Sequence, residues 1–113
     1  MAHDKMITPQ DAIEVTCVLG KKIRTTHAYW QYISEIKHGD LAGRLDDALG
    51  TLTKADEVWR DAERKGIVVY YRRVNGHWAC VVARHLNGDG FVVTAYLTKK
   101  SKRKGIMIWP RKK

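Results

Sequence analysis

Gly66-Ile67-Val68-Val69-Tyr70-Tyr71-Arg72-Arg73-Val74-Asn75-Gly76-His77-Trp78-Ala79-Cys80-Val81-Val82-Ala83-Arg84 decides the reading of this chain. β-branched and aromatic residues crowd both arms, as strands require. Asn75-Gly76 between them suits a type I′ turn, which needs φ > 0 at both central residues. The two arms therefore form a hairpin that pairs Val74 with His77 and Arg72 with Ala79. Both arms are apolar on both faces for part of their length, which places them centrally in a sheet with helices over one face.

Working outward, Asn87-Gly88-Asp89-Gly90 turns the chain into a further strand, Phe91–Thr98. Alternation puts Phe91, Val93, Ala95 and Leu97 on the face expected to meet helices. Val92, Thr94, Tyr96 and Thr98 fall on the other, open face. Ile106–Trp109 reads as the last strand, at or near an edge. Asp56–Arg60 reads as a short strand, against a competing helix over Lys54–Arg64.

The first third reads as helical. Thr8-Pro9-Gln10-Asp11 has the form of a helix start, with a helix expected to about Leu19 and a stop at Gly20. A second helix is expected from Thr26 to Lys37, ending at His38-Gly39. At about 100° per residue, Tyr29, Tyr32, Ile33 and Ile36 share its core face, opposite His27, Gln31, Ser34 and His38. Leu41–Leu52 is a shorter third helix. The expected fold class is α+β: two or three N-terminal helices (about 8–52) packed on a four- to five-stranded antiparallel sheet (about 56–110) in a single domain.

Composition narrows the functions. The 113 residues carry 21 Lys+Arg and 12 Asp+Glu, a net charge of +9. Eight of the basic residues lie from Lys99 onward with no acid among them, so the first 98 residues, with 13 basic and 12 acidic side chains, net only +1. Lys99-Lys100-Ser101-Lys102-Arg103-Lys104 sits between two strands, so it is a folded basic loop rather than a tail. Such a loop suits a polyanion, RNA before DNA, with Lys99, Lys100, Lys102, Arg103 and Lys104 tracking phosphates. No apolar stretch approaches the ~20 residues of a membrane span, and no signal peptide is visible at the N-terminus. Cys17 and Cys80 are far apart and form no CxxC, which reads as two reduced thiols in a cytoplasmic protein. Asp46-Asp47 reads as a solvated helix face, and no metal or cofactor site is expected. Trp59 and Trp109 read as core, and Trp30 as half exposed.

Six short pieces, in this order, resemble a known group: His27-Ala28-Tyr29-Trp30-Gln31-Tyr32-Ile33, Lys37-His38, Asp56-Glu57-Val58-Trp59, Tyr70-Tyr71-Arg72, Gly90-Phe91-Val92-Val93-Thr94-Ala95-Tyr96, and Lys104-Gly105-Ile106-Met107-Ile108-Trp109. Over roughly residues 24–110 the chain is similar to the phage-associated and polymorphic-toxin ribonuclease domains of the barnase–EndoU–colicin D–RelE-like superfamily (the BECR fold). That group often has a proline after the second histidine, where this chain has Gly39. The resemblance implies metal-independent RNA cleavage by acid–base chemistry, and often an acidic neutralising protein as partner.

Such cleavage needs a base for the ribose 2′-OH, an acid for the leaving 5′-oxygen, and donors for the charge that grows on phosphate. The expected catalytic set is His27, His38, Arg72, Thr94 and Tyr96. Thr94 and Tyr96 share a strand face about 7 Å apart. His27 and His38 would be separated by about 16 Å along an unbroken helix, so at most one of them serves a given phosphate. His27, at the helix start, is the preferred one. His3, His77 and His85 are read as terminal, surface and loop residues. The alternatives are a non-catalytic RNA- or DNA-binding module with a basic C-terminal hairpin and a basic protein-interaction module.

Overall fold

The computed structural model describes residues 11–110; the expected cap at Thr8-Pro9-Gln10, His3 and the basic residues at 111–113 lie outside them. The chain runs β1 (Ala12–Thr16), β2 (Lys22–Thr26), α1 (His27–Tyr32), a π-helical turn (Ile33–Lys37), a 3₁₀ turn (Gly39–Leu41) and α2 (Leu45–Thr53). It continues with β3 (Glu57–Arg60), β4 (Ile67–Val74), β5 (His77–His85), β6 (Asp89–Thr98) and β7 (Ile106–Trp109). All seven strands join one sheet in the order β1-β2-β6-β5-β4-β3-β7.

This corrects the expected architecture. Among the described residues there are seven strands rather than four or five, the β2–β6 pair is parallel, and the α-helices are two and short. The expected first helix is instead the hairpin β1–β2, paired from Ala12↔Thr26 to Thr16↔Lys22. Its residues explain why. Ile13, Val15, Thr16, Val18, Ile23, Thr25 and Thr26 are β-branched, stiff at χ1 and better suited to a pleated surface. Ile13 and Val15 alternate with exposed Ala12, Glu14 and Thr16.

β2 then docks on β6 through Lys22↔Asp89, Ile23↔Gly90 and Arg24↔Phe91, with the Arg24 guanidinium on the Asp89 carboxylate. Gly90 is required here, because a Cβ would stand 2.5 Å from the Arg84 carbonyl oxygen and 3.2 Å from Ile23 Cδ1. The Asn75-Gly76 hairpin forms as read, in the register Val74↔His77 and Arg72↔Ala79.

One face of the sheet carries the main core, where Trp30, Ile33, Leu41 and Leu52 meet Tyr70, Val81 and Ala95. α1 is rolled relative to expectation. Trp30, Ile33 and Ser34 are buried, whereas Tyr29 and Tyr32 are exposed and Ile36 is 71% exposed. The rotation is set at the helix start. Thr26 ends β2 and also caps α1, its hydroxyl accepting the Tyr29 N–H at 3.0 Å, so no loop can turn the helix. The Tyr29 hydroxyl then donates to the Val93 carbonyl at 2.6 Å, along the β6 edge that β2 leaves uncovered. Among the described residues, no helix is long and apolar enough to cross a membrane.

Tyr70 is fully buried in this core. Its hydroxyl donates to Cys17 Sγ at 3.0 Å and lies 2.8 Å from His85 Nε2. His85 is thus part of a buried polar chain rather than a loop residue. Burial, with Lys21 nearby, pushes its pKa down from 6.5 to about 4. As pH falls from 6.5 towards 4, the unfolded chain takes up a proton that folded His85 refuses. Stability should therefore be complete above pH 6.5, decline across that window, and level off below it for this group. Urea unfolding in steps of pH measures the decline, and His85→Gln, which keeps a partner for Tyr70, should flatten it.

Candidate nucleic-acid interface

β6 does not keep one face throughout. The β5–β6 register shifts between Val82↔Thr94 and Ala83↔Val92, so Val93 is the extra residue of a bulge. Before the bulge Val92 is the core-facing residue, and after it Ala95 and Leu97 are. Phe91 is exposed, and Val93 joins Thr94 on the second face. The expected sets are therefore corrected: Phe91 and Val93 leave the core set, and Val92 enters it. A single inserted residue exchanges the two faces because strand side chains alternate with period two.

The second face is not open. Tyr71, Trp78 and Cys80 are buried there, packed with Trp59, Val69 and Tyr96. Their cover is the basic loop. β7 pairs with β3, on the far side of β5, β4 and β3 from β6. The link from Thr98 to Ile106 must cross four strand spacings, about 19 Å, with a chain that reaches about 27 Å when fully extended. It has little slack and lies across the sheet, so the expected basic C-terminal hairpin does not form.

Arg103 holds it there. Its backbone N–H donates to the Tyr71 hydroxyl at 3.2 Å, and its Nε is 3.1 Å from Glu57 Oε1. Its guanidinium stands 4.9 Å from the centre of the Trp78 ring. Its φ of +47° is rare for a non-glycine residue, and Gly105, at φ +104°, follows where a Cβ would collide with the Arg60 carbonyl oxygen. Arg103 is thus committed to the protein rather than free to track phosphate.

With the strap fixed, alternate lysines turn one way. Lys100, Lys102 and Lys104 line a cleft of about 620 Å³ together with Thr94, Tyr96 and Thr98. Val69, Val82 and Val93 are its apolar lining, and Asp61, Glu63 and Arg64 of the β3–β4 loop form the other wall. Asp61 Oδ1 accepts the Glu63 and Arg64 N–H groups at 2.8 Å, which fixes that wall and holds the Asp61 carboxyl below its usual range. The Thr94 hydroxyl is buried and has no hydrogen-bond partner among the described residues. Burial, reinforced by Cys80 and Tyr71, raises the Tyr96 pKa far above the ordinary phenol range, so Tyr96 is a neutral donor. Burial likewise raises the Cys80 thiol to about 12, an unreactive thiol.

The structure brings together five of the expected residues: Thr94, Tyr96, Lys100, Lys102 and Lys104. The His38 ring, at the end of the π-helical turn, has its centre 6.0 Å from that of Tyr96 but does not itself line the cleft. His27, the preferred histidine, is exposed at the start of α1 and does not line the cleft. Arg72 lies on the opposite face, packed against Gly50 of α2, because its parity follows Tyr70. Lys99 faces a separate cavity of about 460 Å³ with Asp40, Arg44 and His77.

The acidic wall and Val93 were missed. The Asp61-x-Glu63-Arg64 turn before Gly66 is a local signal that could have pointed to the wall, whereas nothing local marks the bulge.

Replacing Arg103 by Ala removes the ring contact and a partly exposed ion pair, together worth about 1–2 kcal/mol. The variant should unfold at lower urea. Before unfolding, an added quencher should reach Trp78 more readily than in the parent protein. Unchanged quenching would mean that the loop does not depend on Arg103.

Comparison with protein-family models, curated proteins and solved structures gives no match.

Proposed function

We propose that this protein is a metal-independent, toxin-like endoribonuclease that works in the second-face cleft. The observation that carries the reading is the convergence of Lys100, Lys102 and Lys104 with Thr94 and Tyr96 in one cleft, beside His38. The lysines hold the phosphate backbone. His38 takes the 2′-OH proton, and the freed 2′-oxygen attacks phosphorus. The 5′-oxygen leaves towards the lysine wall, where an ammonium supplies its proton. The Thr94 hydroxyl, which has no partner among the described residues, rotates outward to donate to the phosphate oxygens as charge grows on them, and neutral Tyr96 lies beside it.

The free, buried cysteines are consistent with work in the reducing cytoplasm, and an acidic protein laid over the lysine rim would neutralise the site. Binding without cleavage is the second reading, favoured by the placement of His27 and Arg72 away from the cleft.

End-labelled RNA incubated with the purified protein in EDTA separates the two. Cleavage should give discrete products and survive the chelator. His38→Ala should cost about 10²-fold or more and Thr94→Ala about tenfold, while His27→Ala has little effect. RNA that is retained but stays intact would establish the binding reading in its place.

A further inference from the structure

A second cavity, of about 460 Å³, lies at the end of the sheet that carries the Asn75-Gly76 turn. Four stretches of chain far apart in sequence meet there: Asp40 from the 3₁₀ turn, Arg44 just before α2, Val74 and His77 from the β4–β5 hairpin, and Leu97 and Lys99 at the end of β6. Alternation separates the first two lysines of the strap, so that Lys99 enters this cavity and Lys100 enters the cleft.

Three cationic or proton-sharing groups of different kinds line this one space. Among the described residues Lys99 is in no ion pair. Arg44 spends Nη1 on Asp47 at 3.0 Å, which leaves Nε and Nη2 to donate elsewhere. The His77 Nδ1 lies 3.3 Å from the Asn75 carbonyl. A carbonyl can only accept, so Nδ1 carries the proton and Nε2 is left for a ligand. Asp40 is the only carboxylate in the lining, and Val74 and Leu97 supply apolar surface.

A ligand that satisfies this set is anionic at one end and hydroxyl-bearing at the other. A bare anion would use the cations and leave Asp40 facing a like charge. A carboxylate or a phosphodiester has one charge and two terminal oxygens, fewer than the three donor side chains can serve. A phosphate monoester has three terminal oxygens and about two charges near pH 7. Its oxygens take Arg44, Lys99 and His77. Hydroxyls on its carbon skeleton donate to Asp40, and the skeleton lies on Val74 and Leu97. The volume is within the ~300–1,000 Å³ range of small-ligand sites.

We infer that this cavity binds a small sugar phosphate. The site is separate from the cleft, and it stands whether or not the cleft acts on RNA.

The test adds ribose 5-phosphate to the full chain, with ribose and inorganic phosphate as comparisons, while NMR follows the His77 ring signals. Ribose 5-phosphate should move those signals saturably, and each comparison should bind at least about tenfold more weakly, because each lacks one end of the ligand. Lys99→Gln, an exposed change, should weaken ribose 5-phosphate about tenfold. Asp40→Ala, also exposed, should weaken ribose 5-phosphate but not inorganic phosphate. Lys102→Ala, on the cleft side, should change neither. His77 signals that stay still, or move without saturating, overturn the inference. Equal binding of ribose 5-phosphate and inorganic phosphate also overturns it, because the cavity would then be a simple anion site. Loss of binding in Lys102→Ala does so too, because it would put the phosphate in the cleft.

Discussion

The placement of β7 beside β3 is the constraint on which the rest of the second face depends. Had Ile106–Trp109 paired with β6, Lys99–Gly105 would close an ordinary hairpin and leave the face to solvent. Because the partner lies four strands away, the link is pulled across the sheet with little spare length. Its alternate residues then have opposite fates. Arg103 is drawn down among Tyr71, Trp78 and Glu57, while Lys100, Lys102 and Lys104 stand along one wall of a cleft.

This arrangement gives a small sheet two cores of different kinds. The helix-covered face is aliphatic around Tyr70, with a polar chain through Cys17 and His85. The strap-covered face is aromatic, and its lid is a charged loop whose arginine is neutralised by Glu57 and by a tryptophan ring. Aromatic rings make the second arrangement workable. They offer apolar area to the sheet below and a negative face to the guanidinium above. The positive charge of the loop is therefore divided between holding the fold and facing the cleft.

The bulge at Val93 has an effect out of proportion to its size. It lets β6 bury Val92 near its start and Ala95 and Leu97 further on, while keeping Thr94, Tyr96 and Thr98 on the strap side. Without it, Val92 and Thr94 would share a face, and one of them would be wrongly placed. The same edge of β6 receives the Tyr29 hydroxyl and brings the His38 ring beside Tyr96.

Much of this was determined by the sequence alone. The β4–β5 hairpin follows from local rules, because Asn75-Gly76 and the flanking β-branched residues specify turn and register within twenty residues. The last strand and the shared face of Thr94 and Tyr96 were legible for the same reason, whereas the basic segment read as a hairpin crosses the sheet instead. The β1–β2 hairpin was hidden by a helix-start signal at its N-terminal side, and its strand character is completed only by pairing with β6, far along the chain. The roll of α1, the bulge and the crossing strap were decided by tertiary structure. Each depends on which distant backbone a segment meets: Val93 for Tyr29, Arg60 for Gly105, and β3 for β7. Local periodicity specifies what a segment can become, whereas long-range pairing selects which of its faces is buried. That selection placed His38 beside the cleft and left His27 and Arg72 outside it.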